Sequence, residues 1–132
     1  MRYGENSPLP TVPRTATQAR DRVRSLIESA GVRPGEDALA DALLVTSELA
    51  TNAIRHGGGI AGFSASVSAD GLRLAIADTT AAPPVARPTA TSRPGGFGWP
   101  LIRHLTRSVA IRPTPRGGKC IEVRVPLSAV AS

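Results

Sequence analysis

With 132 residues, 41% of them apolar and only four aromatic (Tyr3, Phe63, Phe97 and Trp99), the chain is sized for one domain whose core is built of Ala, Val, Leu and Ile rather than for wholesale disorder. A lone cysteine, Cys120, excludes an intrachain disulfide, and the chain shows neither a secretory leader at Met1–Asn6 nor the ~18-residue apolar run of a membrane helix, so a cytoplasmic location is expected. The net charge of +6 is uneven: eight arginines against nine acids over residues 1–79 (−1), then seven arginines and Lys119 against Glu122 over residues 80–132 (+7), without the stacking aromatics or groove-reading motif of a nucleic-acid binder.

Residues 1–14 contain Pro8, Pro10 and Pro13 and read as an arm or a short edge strand. Thr15-Ala-Thr-Gln18 has the form of a capping box, and Ala16, Ala19, Val23, Leu26, Ile27 and Ala30 then recur at helical spacing until Gly31. A second helix opens near Pro34-Gly35-Glu36-Asp37, with acids in the turn where the helix dipole favours them. Its apolar face is Leu39, Ala42, Leu43, Leu49, Ala50 and Ala53, and Gly57-Gly58-Gly59 ends it.

From Ala61 the period becomes two, with Ala61, Phe63, Ala65 and Val67 alternating with Gly and Ser. Asp70-Gly71 marks a tight turn, and Leu72, Leu74 and Ile76 return in a second strand ending at Asp78. Residues 79–96, rich in Pro, Thr, Ala and Gly, read as a long loop of the kind that is functional or disordered. Trp99, Leu101, Ile102 and Leu105 predict a third helix, followed by strands at Val109–Ile111 and Ile121–Val125. An α+β, two-layer sandwich accounts for this order, with a mixed, mostly antiparallel sheet carrying three helices on one face. Residues 15–127 form the domain and 128–132 a tail.

Four places carry candidate chemistry. On the second helix Glu48, Asn52 and His56 share one stripe beside the apolar face. An Asn amide oxygen suits Mg²⁺, and a Glu can take a proton from an attacking hydroxyl. The same spacing also fits an ordinary amphipathic helix with its polar residues toward water. Asp78 ends an apolar strand, as a ligand-binding carboxylate or as a strand cap. Gly95-Gly96-Phe97-Gly98 precedes a helix and reads as a phosphate-binding loop or a turn. Gly117-Gly118-Lys119-Cys120 leads into the last strand and also fits a plain hairpin connection.

Together, in this order, the motifs resemble the GHKL superfamily of ATP-binding domains (the Bergerat fold). The stretch Leu43-Leu-Val-Thr-Ser-Glu48-Leu-Ala-Thr-Asn52-Ala-Ile-Arg-His56-Gly57 is most similar to the N-box of the anti-sigma-factor serine kinases. The resemblance spans roughly residues 15–127. It implies ATP or ADP with Mg²⁺ as cofactors, Asn52 as the Mg²⁺ ligand and Glu48 as general base. It further implies His56 at the nucleotide site, Asp78 as acceptor of the adenine amino hydrogen bond, and Pro83 as the later proline the subfamily keeps. Gly96 and Gly98 match the second glycine box, and Arg87 and Arg93 lie in the ATP lid.

The partners implied are a sigma factor and an antagonist protein whose serine is phosphorylated, with a homodimer possible and no nucleic acid or membrane. Three features depart from the pattern. Thr79-Thr80-Ala81-Ala82 lacks the first-box glycine, Cys120 stands for the threonine that supports the adenine-binding Asp, and Phe97 and Trp99-Pro100 are bulky. They keep open an alternative of the same fold, a non-catalytic module with weak or lost nucleotide binding that sequesters a partner.

Overall fold

A computed structural model describes residues 12–80 and 98–127. In chain order the described residues form α1 (Ala16–Ser29), α2 (Glu36–His56), β1 (Ile60–Ser68), β2 (Gly71–Asp78), α3 (Gly98–Leu105), β3 (Ser108–Pro113) and β4 (Lys119–Val125).

The capping signal before α1 is realised with one change. The Gln18 amide donates to Thr15 Oγ1 at 3.0 Å, but the Gln18 side chain accepts from the Arg14 amide at 2.7 Å rather than from Thr15. The box therefore reaches one residue further back and holds the incoming chain as well as the cap. In α2, Gly35 is the N-cap without a side-chain bond, and Glu36 and Asp37 occupy the first turn.

The four strands are antiparallel throughout, in the order β1-β2-β4-β3. No parallel pair occurs among the described residues, so the expected mixed sheet is an antiparallel one there. The register aligns Phe63, Ile76, Ile121 and Ile111 across the sheet, then Ala65, Leu74, Val123 and Val109, then Val67, Leu72 and Val125. These rows face the helices. The intervening rows, such as Ser66, Arg73 and Arg124, face away.

Helix α2 is the centre of the helical layer, touching α1, α3 and strands β1, β2 and β4. Its buried residues are Ala42, Val45, Thr46, Leu49, Ala50 and Ala53. Leu39 and Leu43, expected on the apolar face, are only partly buried against the core, while Val45 and Thr46 lie inside. A sheet on one side and two helices on the others give α2 a buried arc wider than a simple stripe. Thr46 tolerates this because its hydroxyl donates to the Ala42 carbonyl at 2.7 Å. Among the described residues no helix is long and apolar enough to cross a membrane.

Candidate nucleotide site

The alternation of β2 that buries Leu72, Leu74 and Ile76 also carries Asp78, at the strand's end, to the helix side, where it is only 5% exposed. The end of α2 is fastened to the next residue, Thr79. Thr79 donates to the Gly57 carbonyl twice, from its amide at 2.9 Å and its hydroxyl at 2.8 Å. A Cβ on Gly57 would run into the Asp78 carboxylate, and a Cβ on Gly118 into the Asp78 carbonyl oxygen. Two glycines on different elements thus leave the carboxylate a cradle that side chains would fill.

Three donors reach the carboxylate. Lys119 Nζ donates to Asp78 Oδ2 at 2.7 Å, while the amides of Thr80 and Lys119 donate to Oδ1 at 3.1 and 3.4 Å. Lys119 is 7% exposed, so the ion pair is shielded from water on both sides. Lys119 Nζ also approaches the Thr80 carbonyl at 3.5 Å.

Cys120 is therefore not the residue that supports Asp78. Side chains of β4 alternate, with Lys119, Ile121, Val123 and Val125 buried toward the helices and Cys120, Glu122 and Arg124 on the other face. Cys120, expected beside Asp78, lies on the face of the sheet away from the carboxylate, because neighbouring residues of a strand take opposite faces. Burial pushes the Cys120 thiol above its ordinary pKa, and the Glu122 carboxylate adds to the effect. On that outer face Glu122 pairs with Arg73 at 3.2 Å and Arg112 at 3.5 Å.

Glu48 and Asn52 are half-buried on α2, next to the buried Leu49 and Ala53, whereas His56 is exposed in the helix's last turn. Asn52 stands five residues before Gly57, so it lies about 7–8 Å along the axis from the Asp78 cradle, with Glu48 one turn further back. No cluster of three or more His, Cys, Asp or Glu side chains among the described residues is placed to hold a metal. The donor set present, one amide oxygen, suits Mg²⁺ bound mainly through phosphate oxygens and water. Gly98 is the first residue of α3, and Pro83, Gly96, Arg87 and Arg93 fall outside the described residues. An open groove of about 550 Å³ between α1 and β1, lined by Arg22, Leu26 and Phe63 among others, contains none of the candidate residues.

A helix bearing Glu48 and Asn52, pinned at its end to Thr79 beside a buried strand-end carboxylate, is the frame on which the family comparison bears. The family profile of the histidine kinase-like ATPase domain matches residues 9–125. This chain belongs to that family. The histidine kinase-like ATPase domains fall within the GHKL superfamily of ATP-binding modules, and membership implies a nucleotide cofactor, typically with Mg²⁺.

Among solved structures the domain is similar to the ATP-binding domain of PrrB from Mycobacterium tuberculosis, at 24% identity over 69% of this chain and 70% of that one, with a TM-score of 0.48. A search of curated proteins found no match. Lys119 is the residue that the motif reading passed over, although the alternation through Ile121, Val123 and Val125 already places it on the buried side.

Proposed function

We propose that this domain is an ATP- and Mg²⁺-dependent anti-sigma regulatory factor that binds a sigma factor and phosphorylates a serine of that factor's antagonist. The observation that carries the reading is the placement of Glu48 and Asn52 on one half-buried stripe of α2, a helix whose end is fastened at Gly57 to the Asp78 cradle. Asp78 is then the base-recognition carboxylate and Asn52 the protein ligand of Mg²⁺. Bound ATP supplies the transferable phosphoryl group, and Mg²⁺ neutralises its charge. Glu48 takes the proton of the serine hydroxyl as that oxygen bonds to the γ-phosphorus and the bond to ADP breaks.

The test is phosphate transfer from labelled ATP to a serine-bearing antagonist protein that binds this chain. Glu48→Gln preserves side-chain shape and should leave ATP affinity nearly unchanged while slowing transfer by ~10²–10⁴-fold, the usual contribution of a general base. A second reading, a non-catalytic module that sequesters its partner, draws support from the Lys119–Asp78 ion pair, which neutralises the base-recognition group. A parent protein that binds its sigma factor tightly yet transfers no phosphate would establish that second reading.

A further inference from the structure

Resting on the reading of Asp78 as the base-recognition carboxylate, we infer that Lys119 is a built-in occupant of that carboxylate and holds nucleotide affinity low. A purine amino group that donates to Asp78 needs an exposed carboxylate oxygen. Oδ2 already accepts from the Lys119 ammonium at 2.7 Å, and Oδ1 from two backbone amides, which leaves one acceptor site of the carboxylate beside a buried ammonium. The occupant is not a passing surface side chain. Lys119 lies one step beyond the last register pair of β2 and β4, Ala77 with Cys120, and thus directly across from Asp78. Its four-carbon stem is buried with its head, so stem and ammonium fill the helix side of the sheet at the place where a base would approach.

Two consequences separate this from an ordinary structural ion pair. First, an incoming base must either share Oδ2 with an ammonium or push that ammonium aside, leaving a buried charge without its partner. Second, the pair joins the end of β2 to the start of β4, and Gly118, where a Cβ would meet the Asp78 carbonyl oxygen, adjoins Lys119. The residue that closes the carboxylate therefore sits in the segment that shapes the cradle. A short side chain at residue 119 would leave the Asp78 carboxylate in its cradle without the ammonium beside it.

The experiment is calorimetric titration of the full chain with Mg·ADP, comparing the parent with Lys119→Thr and Lys119→Gln. Lys119→Thr should bind ADP about 10- to 100-fold more tightly, the equivalent of one hydrogen bond to a charged group. Lys119→Gln removes the charge but keeps a donor, so it should show a smaller gain, and it covers the case in which the threonine variant fails to fold. Circular dichroism checks that each variant is folded. Unchanged or weaker ADP binding by folded variants, with measurable binding by the parent, overturns the role of Lys119 while leaving the nucleotide reading intact. No ADP binding by the parent or by any folded variant overturns that reading itself and this inference with it.

Discussion

The Lys119–Asp78 pair makes a sharp prediction about stability. Asp78→Asn keeps the side-chain volume and an oxygen for the Thr80 amide, but strands the Lys119 ammonium at a site where only 7% of the residue meets water. Removing one partner of a buried pair typically costs about 3–5 kcal/mol, because the remaining charge has lost both its solvation and its counter-charge. For a domain of this size that lowers Tm by roughly 11–18 °C. Adding Lys119→Met removes the stranded charge and keeps most of the stem's volume, so the double variant should regain most of the loss. By contrast, Arg73→Ala breaks the Glu122 pair at an arginine side chain that is 52% exposed, and should cost ~1 kcal/mol or less. The assay is urea denaturation followed by circular dichroism and by the fluorescence of Trp99, a half-buried residue of α3 and the chain's one tryptophan. An Asp78→Asn cost below ~1 kcal/mol, or a double variant no more stable than the single, would refute the argument that the pair is desolvated.

Three further outcomes can be checked. Gly71→Ala should destabilise by about 1–3 kcal/mol in a thermal melt, because φ is +127° there and a Cβ would meet the Val125 carbonyl oxygen. Cys120 should react slowly with a disulfide reagent at pH 7–8 and faster as pH rises, since a raised pKa leaves little thiolate; Glu122→Gln, which removes one raising influence, should speed the reaction at fixed pH. Asn52→Ala should abolish most of the Mg²⁺ dependence of ATP binding in a titration with and without the metal, while changing Tm by only a few degrees, because the side chain is half-buried at the helix edge.

Local chemistry alone carried much of this fold. The Thr15–Gln18 cap, the Asp70-Gly71 turn and the switch of period at Ala61 each depend on a few adjacent residues, and helix, turn and strand formed where those signals stand. The candidate stripe of Glu48, Asn52 and His56 was legible for the same reason, since helical spacing fixes angular neighbours. Its burial was not: Glu48 and Asn52 are half-buried and His56 exposed because of how α2 lies against β2 and α3, which periodicity does not encode.

The partner of Asp78 was the point on which tertiary structure decided. Residues 78 and 119 are 41 apart in the chain, and their meeting depends on β4 inserting beside β2 in one register rather than on any motif. A hairpin register is set by its own turn, but the β2–β4 pairing joins strands with 40 residues of chain between them, α3 and β3 included. The motif resemblance gives the place beside the carboxylate to the Cys120 thiol, one residue from the ammonium that faces it. The sheet decides otherwise, because the rows that bury Ile121, Val123 and Val125 against the helices turn Lys119 inward by the same alternation and leave Cys120 outside.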